Sequence, residues 1–219
     1  MKQYKNLFSV LVFFASFPII WHSSLATTPT AADELAQLLN NIHTMQSTFT
    51  QSLINQRGIR IGTKTTGKML LERPGKFRWE ITEPNNQLII INNDKMLSYD
   101  PDLSQLTKRK VDYRRPGSPA LLLSSAVESL QQLLQIVKLE KPAKEIWFKL
   151  TPKAQKNQES DYQWIKIGFI NGKLAAMYIF DNLDQTSLIS FANIVINTTI
   201  SPKKFTFIPP PNTEIFNST

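Results

Sequence analysis

Apolar positions recur along this chain at two different periods, and the switch between them outlines the fold. From Ala31 to Met45, the residues Leu35, Leu38, Leu39, Ile42 and Met45 recur at three- and four-residue spacing, with Asp33, Glu34, Gln37, Asn40 and Asn41 between them. That spacing predicts an amphipathic helix. Thr30 is placed to cap it, and Asp33 and Glu34 lie in the first turn, where negative charge is favoured. From Thr48 onward the period falls to two. Stretches 48–55, 65–72, 76–83, 87–92 and 95–99 read as consecutive strands, joined by turns at Gly58 to Gly62, at Asn92-Asn93-Asp94 and at Asp100-Pro101-Asp102, the last leading into a strand over 103–110. Within 76–83, Phe77, Trp79 and Ile81 share one face, and Arg78, Glu80 and Thr82 the other.

A helical interruption follows. Ser118-Pro119 opens it, with proline at an initial helical position, and Ala120 to Ser125 is almost entirely apolar; 125–135 continues as a second short helix. Strands then resume at 136–141, 146–151, 162–170, 173–181 and 186–198, with Asn171-Gly172 as the strongest hairpin signal. A last strand is expected over 204–208, stopped by Pro209-Pro210-Pro211 and followed by an irregular tail. The fold class is therefore mainly β with helices (α+β). Ten or eleven antiparallel strands in series curl into a sheet that must bury one face, and the helices must cover its concave side. No internal repeat or low-complexity linker divides the chain, apart from a polar loop at 154–161.

The N-terminus departs from this pattern. A positive start with Lys2 and Lys5 precedes an apolar run from Leu7 to Trp21 and a small-residue exit, Ser23-Ser24-Leu25-Ala26. These are the three parts of a secretory signal. The run is shorter than the roughly 20 residues an anchoring helix needs. Residues 1–26 are thus expected to be a signal peptide, leaving 27–219 as one exported domain. There is no cysteine, so the fold must stand on its own core without disulfides, and no lipid can be attached at a cysteine.

Charge and chemistry narrow the function by exclusion. The formal net charge is +8, and losing Lys2 and Lys5 would leave +6. The basic residues are scattered rather than arrayed along a helix or interleaved with aromatics, so no nucleic-acid partner is expected. With no cysteine and only His43 beyond the leader, thiol catalysis and histidine-activated nucleophiles have nothing to work with. No zinc cluster, phosphate loop or dinucleotide fingerprint is present. Asp100 and Asp102 sit where turns form. The expectation is a non-enzyme with no metal and no cofactor. What calls for explanation is apolar: the all-round apolar insert Ala120-Leu121-Leu122-Leu123, and a sheet face carrying Phe77, Trp79, Ile81, Leu88 or Ile89, and Met96. Pattern alone leaves an ordinary filled core and a cavity for an apolar ligand equally open.

Gly67-Lys68-Met69-Leu70-Leu71-Glu72-Arg73-Pro74-Gly75-Lys76-Phe77-Arg78-Trp79-Glu80-Ile81 resembles the signature of the LolA family of periplasmic lipoprotein carriers. Tyr99-Asp100-Pro101-Asp102-Leu103-Ser104-Gln105-Leu106-Thr107, Ser118-Pro119-Ala120-Leu121-Leu122-Leu123, Leu150-Thr151-Pro152-Lys153 and Lys204-Phe205-Thr206-Phe207-Ile208-Pro209-Pro210 are similar to later landmarks of the same family, in the same order. The resemblance implies an incomplete, open antiparallel β-barrel of about eleven strands with a helical lid. It implies a monomeric periplasmic carrier of acylated lipoproteins, taking them from the inner-membrane LolCDE complex and delivering them to LolB in the outer membrane. Leu35, Leu39, Ile42, Phe77, Trp79, Ile81, Leu121, Leu122 and Leu123 are then the expected cavity lining. Arg73 stands where the family has an arginine that ties the lid helices to the barrel. An acceptor like LolB, or a lipid-sensing regulator of envelope stress, is the alternative on the same scaffold; the acceptor carries a lipidated cysteine, which this sequence lacks.

Overall fold

Alternation decides most of this molecule. In β1 (Thr44–Ile54), Met45, Ser47 and Phe49 are buried while the residues between them are partly exposed, the signature of a strand with one face on the core. A computed structural model describes residues 28–111, 119–125, 127–141, 144–153 and 160–218. The leader expected at 1–26 and most of the loop expected at 154–161 lie outside the described residues. Among those described, no helix is long and apolar enough to cross a membrane.

Two runs of adjacent antiparallel strands make the sheet. The first comprises β1, β2 (Arg60–Glu72), β3 (Lys76–Glu83), β4 (Gln87–Asn92), β5 (Lys95–Asp100) and β6 (Gln105–Lys110). The second comprises β7 (Leu134–Leu139), β8 (Glu145–Pro152), β9 (Tyr162–Ile170), β10 (Lys173–Asp181) and β11 (Thr186–Ile196). β1 joins them by pairing β2 on one side and β11 on the other, with Phe49 opposite both Gly67 and Phe191. With β12 (Glu214–Ser218), the described strands form one twelve-stranded sheet in the order β12-β6-β5-β4-β3-β2-β1-β11-β10-β9-β8-β7, whose end strands do not pair with each other. The turns follow their chemistry. Asn171-Gly172 sits at φ 51 and 74 between β9 and β10, the double left-handed conformation of a tight hairpin, and Asn93 takes φ 55 between β4 and β5.

Three helices complete the core. α1 (Ala31–Asn40) carries the capping box anticipated at Thr30: its hydroxyl accepts from the Asp33 N–H, while the Thr30 N–H donates to the Asp33 carboxylate. α2 (Pro119–Ser124) lies on β2 and β3, whereas α1 packs against α3 (Val127–Leu133) and β7. A continuous buried cluster draws Leu35 and Leu39 from α1, Leu122 and Leu123 from α2, and Phe49, Phe77, Phe148, Ile167 and Met177 from the sheet.

Several local expectations are corrected. The first helix stops at Asn40, not Met45: Ile42 is buried in the connection and Met45 is the second residue of β1, opposite Leu71 and Ile196. The spacing of these two residues suits a helix, but Met45, Ser47 and Phe49 fit a two-residue period equally well, and pairing on both sides decides for the strand. His43 accordingly lies in that connection, exposed. The second half of the insert ends at Leu133 rather than Gln135, because Leu134 already pairs with Pro152. The strand expected over 204–208 is instead a 3-10 helix, Pro202–Phe205, followed by residues without regular structure. The strand forms further on, in the segment read as an irregular tail, and β12 lies parallel to β6, so the sheet is not wholly antiparallel.

Candidate functional site

The site begins with a glycine. Gly67 faces both Phe49 and Ile81 across its two neighbouring strands. A Cβ there would stand 2.2 Å from the Glu80 carbonyl oxygen and 2.5 Å from the Phe49 ring. Its absence lets the Phe49 ring lie over the sheet and stack on Trp79, with centroids 3.6 Å apart and planes at 18°. Phe77 is a further 6.0 Å along the same stack, and Phe191 meets Trp79 edge-on at 6.3 Å. Four rings from β1, β3 and β11 thus make an aromatic floor.

Over part of this floor is a cavity of about 290 Å³, lined by Phe77, Trp79, Ile89 and Met96 from β3–β5, Met177 and Ile179 from β10, Ile189 and Phe191 from β11, and Ala120 and Leu123 from α2. Gln51 and Ser187 are its polar members. β5 and β10 are six places apart in the strand order, a separation of nearly 30 Å in a flat sheet with strands about 4.8 Å apart. Met96 and Met177 line one small cavity only because the sheet rolls up around it.

The roof is tied down through its backbone. α2 is a single short helix, so its last carbonyls need donors from outside it. The turn between β2 and β3 supplies them: the Gly75 N–H donates to the Ser124 carbonyl at 2.8 Å, and Arg73 Nη2 donates to the Ser125 carbonyl at 2.5 Å. Gly75 takes φ +87 in that turn, a conformation that favours glycine. Lys138 on β7 and Glu34 on α1 form a half-exposed ion pair at 2.5 Å beside α3. Among the described residues, no group of three or more histidine, aspartate or glutamate side chains could hold a metal.

Of the side chains expected to line a cavity, Phe77, Trp79 and Leu123 do so. Leu122 is buried beside them, and Ile81 is half-buried against the same core. Leu35, Leu39 and Ile42 are almost wholly buried but absent from the cavity wall, since α1 sits over α3 and β7 rather than over β3. The Leu121 side chain lies outside the described residues. Sequence reasoning passed over Met177, Ile179, Ile189 and Phe191. Their signal was present as two-residue alternation in 173–181 and 186–196, but nothing local says that the second run of strands curls back to face the first.

Residues 40–208 match the family described as "Outer membrane lipoprotein carrier protein LolA". The chain belongs to the LolA family. It is 33% identical over 198 residues to an outer-membrane lipoprotein carrier protein of Methylococcus capsulatus, covering 90% of this chain and 93% of that one. It is 34% identical over 185 residues to the carrier of the same name from Pseudomonas paraeruginosa, covering 84% and 86%. An uncharacterized conserved protein of Thermus thermophilus shares the fold, with a TM-score of 0.50 at 9% identity over 84% of this chain and 99% of that one. The LolA match includes every cavity-lining residue and both donors to the roof, and ends before β12.

Proposed function

We propose that this chain is a soluble periplasmic carrier, which accepts acylated lipoproteins from LolCDE, shelters their acyl chains, and hands them to LolB. The observation that carries this reading is the apolar cavity between a rolled sheet and a short helix held at its C-terminal end. A lipoprotein's acyl chains each contribute about 0.8 kcal/mol of membrane binding per buried CH₂, so crossing water unaided is prohibitively slow. A carrier must offer comparable apolar surface and still release the load. A space of 290 Å³ holds on the order of ten water-sized groups, fewer than the carbons of one long acyl chain. Loading therefore requires α2 to lift, and the Arg73–Ser125 and Gly75–Ser124 bonds are the contacts that lifting breaks. In this reading Arg73 is the latch of the roof, and Phe77, Trp79 and Leu123 meet the acyl chains first.

The direct test is native mass spectrometry of the protein purified from cells that co-express a lipoprotein. A one-to-one adduct carrying intact acyl chains is the expected result. Protein that stays free while the lipoprotein is retained in the inner membrane would rule the carrier reading out.

A further inference from the structure

We infer that Gln51 and Ser187 form a polar subsite that hydrogen-bonds the ester carbonyls of glyceryl-linked acyl chains; this rests on the carrier reading above. The two residues stand at one end of a gradient. Along the inward face of β1 come Met45, Ser47 and Phe49, all buried, and then Gln51, half-buried. Along β11, Phe191 and Ile189 are buried and Ser187 is half-buried. Ile61, beyond Gln51 on the paired strand β2, is 37% exposed, and Ile59 in the adjoining turn is 58% exposed. The cavity thus has its buried, apolar part toward Phe77 and its more exposed side at Gln51 and Ser187. Acyl tails seated in it leave the glyceryl group, with the attached protein, at the end where these two residues stand.

The chemistry of the pair matches what arrives there. Gln51 Nε2 donates to Ser187 Oγ at 3.4 Å. A primary amide has two N–H donors and a hydroxyl has one, so one amide hydrogen and the serine hydroxyl hydrogen remain, and no acceptor among the described residues takes either. The pair therefore offers two adjacent donors, beside the one Gln51 Oε1 acceptor, to a ligand whose polar atoms accept. The two ester carbonyls of a diacylglyceryl group are of that kind. Burying them without partners would oppose binding, and this pair satisfies them where the tails end.

The test is calorimetric titration of the full chain with three short-chain, soluble probes: a diacylglyceryl-cysteine peptide, its dialkyl ether analogue, and a diacyl phosphatidylglycerol. The ester peptide is expected to bind about five- to tenfold more tightly than the ether. Gln51→Leu and Ser187→Ala should each bring that ratio within about twofold. Equal binding of ester and ether by the unaltered protein would overturn the inference, as would a preference that survives in both variants. An ester preference shown by phosphatidylglycerol and not by the peptide keeps the subsite and makes a membrane lipid its ligand. Failure of the folded protein to bind any of the three would sink the carrier reading itself, and the subsite with it.

Discussion

Replacing Arg73 by leucine removes its hydrogen bond to the end of α2 and keeps an apolar side chain in its place. The arginine is half-buried, and its Nη2 donates to the carbonyl of Ser125, just past the last turn of α2. Leucine keeps an apolar stem but has no donor. The Gly75 N–H still holds the Ser124 carbonyl and Leu122 and Leu123 stay buried in the core, so the chain should fold and the roof should stay attached. A hydrogen bond from a charged donor contributes a net 1.5–3 kcal/mol or so, equivalent to about a 10- to 150-fold bias toward the closed roof. In the proposed carrier, closing the roof and seating acyl chains compete for the same space. Loss of the latch therefore favours the loaded state by that factor, and cargo should be accepted normally but surrendered slowly. The assay is a two-membrane transfer: release of a labelled lipoprotein from inner-membrane vesicles, then its appearance in vesicles bearing LolB. Release near the normal rate with delivery slowed at least tenfold is expected. Arg73→Lys, which keeps a charge and a donor, should fall between. Delivery by Arg73→Leu at the unaltered rate would refute the latch.

Other consequences can be checked without cargo. Gly67→Ala should cost about 1–3 kcal/mol in a denaturant titration, because the new Cβ would overlap the Glu80 carbonyl and the Phe49 ring. Burial, reinforced by the neighbouring Asp161 carboxylate, pushes the Tyr162 phenol well above its ordinary 10.0. The folded state then keeps a proton that the unfolded chain gives up, so stability should fall as pH rises above about 10; Tyr162→Phe should flatten that fall in thermal melts. At α1, hydrogen bonds from the Thr30 hydroxyl and N–H hold the Asp33 carboxyl below its ordinary 3.8. Its contribution is present above that value and lost as pH drops through the lower, folded one. The protection of the α1 amides, taken relative to the intrinsic exchange rate at each pH, should fall on acidification, and less so in Thr30→Val.

The parts of this molecule that could be read from sequence are those governed by local rules. Phe77, Trp79 and Ile81 alternate over 76–83, and Asn171-Gly172 dictates its own turn, so strand and hairpin were both legible. Thr30 and Asp33 announce the helix start by their spacing. Where two local rules agree with the same residues, as at Ile42 and Met45, only pairing with Leu71 and Ile196 settles the matter. The segment 202–218 misled for a different reason. Phe205 and Phe207 alternate like a strand, yet Phe205 is buried under the far side of the sheet, with the carbonyls of Lys204 and Phe205 taken by Arg78 and Asn92. The cavity wall from β10 and β11 was invisible because curvature belongs to the whole sheet rather than to any stretch of it.

The seam along β1 has a kinetic consequence. Thr48 Oγ1 donates to the Ala192 carbonyl across 144 residues of sequence, and the entire β1–β11 ladder spans a comparable separation. Neighbouring strands can zip up early, since each needs only a short loop closed, but the two meanders cannot join until nearly the whole chain is available. Long-range pairing of this kind slows folding, and until it happens one long edge of β1 and one of β11 present unmet backbone donors and acceptors, which invite pairing with other chains. The step that rolls the sheet and creates the hollow is therefore also the interval in which a newly made chain is most exposed to aggregation.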